Sequence, residues 1–222
     1  DVGHGPFSHA LENMLMDDWH HEKLSLLLMN KLNEEFEGEL TIAIEMFRGN
    51  YHRKFFNQLI SSQLDVDRLD YLKRDSFYTG VSEGNVNTQR IISMMNVADD
   101  ELVIDAKGIY SIENYLTSRM FMYWQVYFHK TASIAEYILV KILERAKMLV
   151  LQGEELQCSE NLRYFLYPNN STNASDEDIT RFSELDDNDV LQAIKLWQKS
   201  EDLVLSYYCK CIIQSRLQRT DN

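Results

Sequence analysis

The chain has 222 residues, 45% of them hydrophobic, with only 8 Gly and 2 Pro; it is long enough to bury one large core or two small ones, and collagen-like, Pro-rich and Gly/Ser-linker classes are excluded. Acidic residues outnumber basic ones by 35 to 22, a net charge of −13, which excludes non-specific binding to nucleic acid or anionic membrane through a general positive field; a polyanionic ligand would need a local cationic pocket. Three cysteines, Cys158, Cys209 and Cys211, are odd in number and lack paired metal spacing, which points to a reducing, cytoplasmic setting. No apolar run approaches the ~20 residues that span a bilayer, and no signal-peptide pattern is present.

So few turn residues predict a mainly α chain. Apolar residues recur at helical spacing over 8–16 and 20–36, with Leu24, Leu27, Leu28 and Leu32 on one face. A third helix is expected over 39–47, closed by Gly49, and a fourth from 52 to 72 or beyond, with no Gly or Pro to stop it. A small β-hairpin is expected near 91–105, with strands 91–97 and 101–105 about an Asp99-Asp100 turn. Residues 112–151 form a long apolar-periodic stretch, one helix or two in line. The polar, acidic segment 167–178 reads as a loop, and helices resume near Asp186 and over 203–217. The domain reading is a core over 1–151 and a C-terminal helical extension over 152–222. The chain opens on Asp1 without a Met, so residues are expected to precede it.

Three stretches can carry chemistry. Four of the 6 histidines, His4, His9, His20 and His21, fall in the opening segment, where Gly and Pro bring the backbone close to a bound group. On a helix His9 and Glu12 stand at i and i+3, so the carboxylate can orient the imidazole as a general acid; ordinary surface histidines are the alternative. Asp67, Tyr71 and Asp75 recur at i, i+4 and i+8, and Arg68 adjoins them on one polar stripe. A solvated face laced with Asp–Arg pairs would read the same way, but Tyr71 and the flanking Leu64, Leu69 and Leu72 argue for a packed helix. Arg119, Tyr123 and Tyr127 share a face of an otherwise apolar helix, where the guanidinium needs an internal carboxylate or a ligand phosphate.

Together these stretches resemble the HD-domain deoxynucleoside triphosphate triphosphohydrolases, a family that includes bacterial dGTPase-like enzymes and SAM-and-HD-domain proteins. The resemblance rests on Asp1, on the loop Gly3-His4-Gly5-Pro6-Phe7-Ser8-His9, on His21-Glu22, on Asp65-Val66-Asp67-Arg68-Leu69-Asp70-Tyr71, and on Arg119 with Tyr127 ahead of His129-Lys130. Phe128 stands where some members have Gln.

The resemblance implies an HD-type multi-helix fold and a metal-dependent phosphohydrolase that splits dNTPs into deoxynucleoside and triphosphate by water attack on the α-phosphorus. It makes Asp1 and Asp67 ligands of a divalent metal (Mn, Fe, Ni or Zn, or Mg), beside two upstream histidines that the chain lacks, so that the chain as it stands is expected to be inactive. It implies His9, oriented by Glu12, as the acid for the leaving 5′-oxygen, His4 and His21 as triphosphate contacts, and Arg68 and Arg119 as its neutralising cations. Tyr71 and Tyr127 would crowd the sugar 2′ position and Asp75 would accept from the 3′-OH. Arg90 and Lys107 fall near the positions of an activating-nucleotide site in a homo-oligomer, dimer or tetramer. Two other readings remain: a nucleotidase or phosphodiesterase of the same superfamily, or a non-catalytic helical nucleotide-sensing module.

Overall fold

The computed structural model describes residues 2–8, 12, 20–167 and 175–215. Among them are eleven α-helices and one two-stranded hairpin, as the composition predicts. The chain divides into two compact units, one of residues 1–34 with 133–222 and one of residues 35–132. These units part the chain at 34/35 and 132/133, rather than at 151/152.

The first unit contains α1 (His21–Glu35), and the second contains α2 (Thr41–Phe47), α3 (Lys54–Ile60), α4 (Val66–Thr79), α5 (Thr88–Met94), strands β1 (Met95–Ala98) and β2 (Glu101–Ile104), and α6 (Ile109–Met122). The chain returns to the first unit along α7 (Lys130–Leu151), followed by α8 (Glu160–Leu166), α9 (Asp176–Ser183), α10 (Asp187–Trp197) and α11 (Leu203–Ile213).

In the first unit the core is built on α7, whose Leu139, Ile142, Leu143 and Ala146 pack with Leu24 of α1, Leu162 and Phe165 of α8, Ile194 of α10 and Leu205 of α11. Burying such aliphatic side chains contributes roughly 1.5–3 kcal/mol each before chain entropy is subtracted. Two links fasten loops to this core: Trp197 Nε1 donates to the Gln157 carbonyl at 2.9 Å, and Arg145 reaches both carboxylate oxygens of Asp202, the cap of α11, at 3.1 and 2.5 Å. The second unit is centred on Leu69 and Leu72 of α4, Ile91 of α5, and Tyr115 and Met122 of α6. Gly84 lets the chain pass close to this core: a Cβ there would lie 2.3 Å from the Met122 sulfur.

Several expected boundaries move. The helix expected from 52 onward is two helices, because residues 61–65 satisfy their own backbone. Asp65 accepts from the N–H groups of Ser62 and Arg68 at 3.2 and 2.8 Å, and Ser62 Oγ accepts from Leu64 at 3.2 Å. Such local bonds end one helix and cap the next. The hairpin is present, but residues 91–94 belong to α5, which Asn87 caps by accepting from the Arg90 N–H. Its turn places Asp99 and Asp100 at φ of 51° and 63°, the geometry that matches strand twist in two-residue turns. The 112–151 stretch is broken: Phe128 N–H closes on the Tyr123 carbonyl at 2.8 Å, an i→i+5 π turn over Tyr123–Tyr127, before α7 begins. Within the segment read as a loop, Asp176–Asp178 open α9, where Ser175 and Asp178 form a reciprocal capping box. α8 was not expected, and the last helix ends at Ile213. The expected helix over 8–16 lies, apart from Ser8 and Glu12, outside the described residues.

Candidate functional site

Two clusters hold the candidate residues, one in each unit. In the first unit, the loop of residues 2–8 is tied down at both ends. Gly3 N–H donates to Ser25 Oγ of α1 at 3.0 Å, and Phe7 N–H donates to Asp187 Oδ1 at the start of α10 at 2.8 Å. The close approach expected of Gly3 is made to α1 itself: a Cβ there would lie 2.2 Å from the His21 carbonyl oxygen and 2.3 Å from Ser25 N.

This contact lays His4 on His21, with ring centroids 4.3 Å apart and planes 12° from parallel. His4 Nδ1 meets Ser8 Oγ at 3.1 Å. Glu12 Oε1 accepts from the His21 N–H and meets His21 Nδ1, both at 2.6 Å, and lies 3.6 Å from His20 Nδ1. Glu12 therefore orients His21; its pairing with His9 falls outside the described residues, as does Asp1.

In the second unit, α4 and α6 with its π turn bring together five of the sequence candidates. Tyr127 donates to Asp75 Oδ2 at 2.7 Å, and its ring meets that of Tyr71 edge-on at 5.9 Å. Burial pushes the Tyr71 phenol up to about 12, against the opposing pull of Arg119 and Arg68, so it stays a neutral hydrogen-bond donor. Tyr127 is also raised, by burial and then by its bond to Asp75. Arg119 lies over the Tyr123 ring at 5.7 Å and donates from Nη1 to Gln63 Oε1 at 2.9 Å. Among the described residues its hydrogen-bond partners are thus a neutral amide and the Tyr123 phenol rather than a carboxylate.

Arg68 does have an ionic partner, and it is Asp65 rather than Asp67. Asp65, 1% exposed, takes Nη1 of Arg68, which also donates to the Ser62 carbonyl at 2.6 Å. The pair accounts for part of the stripe as ordinary charge pairing, as does the exposed Arg74–Asp70 pair at 2.7 Å. Arg68 Nε, however, is buried with no hydrogen-bond partner, a costly state unless an acceptor reaches it. Asp67 projects from the first turn of α4 and is exposed. Among the described residues no group of three His, Cys, Asp or Glu could hold a metal ion; one exposed carboxylate does not fit that role alone.

Arg90 lines a cavity of about 570 Å³ with Lys73, Asn87, Tyr110 and Asn114. Lys107, in the Ala106–Gly108 turn, is exposed and is not among the lining residues. Sequence reasoning missed Gln63 and Asp187. The polar run Ser61-Ser62-Gln63 ahead of Asp65 carried a usable signal for Gln63, since such runs break helices; Asp187 carried none, because its partner at Phe7 is remote in sequence.

Residues 86–184 match the family described as HD associated region. The chain is 35% identical, over 98% of its length, to the uncharacterized protein YwfO of Bacillus subtilis, and covers 50% of that protein. It is 28% identical, over 71% of its length, to the Deoxynucleoside triphosphate triphosphohydrolase SAMHD1 homolog of Dictyostelium discoideum, covering 34% of it. A crystal structure of a phosphohydrolase from Bacteroides thetaiotaomicron superposes with a TM-score of 0.94 at 49% identity, over 99% of this chain and 55% of that one. The chain spans about half the length of the Bacillus protein and of the Bacteroides chain.

Proposed function

For a chain related in sequence and fold to the HD-domain phosphohydrolases, we propose that it is the core of a hydrolase that converts dNTPs to deoxynucleoside and triphosphate. The observation that carries the reading is the α4–α6 cluster, where two guanidiniums, one with a buried unpartnered Nε, adjoin two neutral phenols and an Asp–Tyr hydrogen bond. Cations serve a polyphosphate. Phenols packed edge-on close off space beside a sugar, and Asp75, with one oxygen on Tyr127, keeps the other for a 3′-hydroxyl.

Water attacks the α-phosphorus, the bond to the 5′-oxygen breaks, and that oxygen takes a proton; the acid assigned by resemblance is His9. His21, oriented by Glu12 and stacked on His4, contacts the triphosphate with His4. Asp67 would need further ligands to hold the divalent metal of the family. An activating nucleotide would use the Arg90 cavity with Lys107 nearby, in a homo-oligomer.

The test is product analysis of the full-length protein with each dNTP and Mn. Triphosphate and deoxynucleoside in equal amounts are the expected result, whereas release of pyrophosphate or single phosphate would overturn the assignment in favour of a nucleotidase or phosphodiesterase.

A further inference from the structure

The turn between α3 and α4 holds two arginines of the second unit, Arg68 and Arg119, but by different chemistry. Asp65 and the Ser62 carbonyl take Arg68, and the carboxylate cancels much of its charge. One residue before Leu64, Gln63 takes Arg119 through its side-chain amide oxygen at 2.9 Å. The backbone of Gln63 is itself pinned, since Tyr115, 1% exposed, donates from its hydroxyl to the Gln63 carbonyl at 2.7 Å. The acceptor that meets Arg119 therefore sits on a fixed backbone, and it carries no charge.

We propose that Gln63 is a positioning residue that aims the Arg119 guanidinium at a ligand phosphate while leaving its positive charge uncancelled. The proposal rests on the polyphosphate reading above. A carboxylate at the same place would orient the guanidinium equally well, as Asp65 does for Arg68, but would repel the anion that Arg119 is to receive. An aliphatic residue would leave the charge intact and lose the orientation. Neutral and hydrogen-bonding together are what the position requires.

The experiment measures binding of inorganic tripolyphosphate to the full-length protein by calorimetry, in buffer without added metal, for wild type, Gln63→Glu and Gln63→Leu, each with and without Arg119→Ala. Gln63→Glu is expected to weaken binding by about tenfold while melting no lower than wild type, because it forms an ion pair with Arg119; a residue of merely structural role would not separate the two readouts. Gln63→Leu is expected to weaken binding by about threefold. In the Arg119→Ala background neither change should matter further. A Gln63→Glu variant that binds as tightly as wild type, or the same losses without Arg119, would overturn the proposal. Wild type that binds tripolyphosphate but liberates another product from dNTPs would overturn the reaction and leave the role of Gln63 standing; wild type that does not bind it would overturn both.

Discussion

A methyl group at Gly3 would fall within 2.2 Å of one α1 backbone atom and 2.3 Å of another, and neither can step aside without bending the helix. Gly3→Ala should therefore push the loop off α1, at a cost of about 1–3 kcal/mol, and separate His4 from His21. Thermal melting measures the first effect and the NMR shifts of the two imidazoles the second; unchanged shifts would show that the stack does not depend on Gly3. Tyr127→Phe tests the other cluster. It deprives Asp75 of its donor, costs about 1 kcal/mol of stability and, on the proposed reaction, lowers kcat/KM for dNTPs by about tenfold. An undiminished kcat/KM would detach this pair from the sugar.

Among the elements, α11 depends most visibly on one side chain. Asp202 caps it, accepting from the Leu205 N–H at 2.7 Å, and pairs with Arg145 of α7. The Arg145 bonds hold its carboxyl below the usual carboxylate range. The folded protein thus binds that proton more weakly than the unfolded chain does. The contribution is complete above a pH of about 4, the unfolded value, and is lost as pH falls through the lowered folded one. Asp202→Ala should cost about 1–2 kcal/mol at neutral pH and flatten the acid limb of the melting profile. An acid limb as steep as that of wild type would place its origin elsewhere.

At the scale of the whole molecule, all three cysteines lie in the first unit. Cys209 and Cys211 are buried, and burial raises the Cys209 thiol to about 12. A thiol reagent added to native protein should modify Cys158 alone, and the other two should react only as that unit unfolds; rapid labelling of Cys209 in native conditions would contradict the packing described. The helical class and the hairpin were legible in the sequence because apolar periodicity and scarce Gly and Pro are local signals. So was the sharing of one helix by Tyr71 and Asp75, which stand four residues apart. What escaped was set by side chains bonding to backbone or to distant partners: the Ser62–Asp65 turn that splits a helix, the Asn87 cap that takes residues 91–94 from a strand, and Glu12 meeting His21. Periodicity carries no record of such contacts.

The π turn at Tyr123–Tyr127 has a genetic corollary. It winds five residues through the arc an α-helix gives to about four, and such turns cost helix stability, so a codon change that favours α winding there would give a sturdier helix. It would also swing Tyr127 by about 100° around the axis, away from Asp75. Selection for stability alone would favour the α winding; a lineage that keeps the π turn is being held to it by what the tyrosine touches.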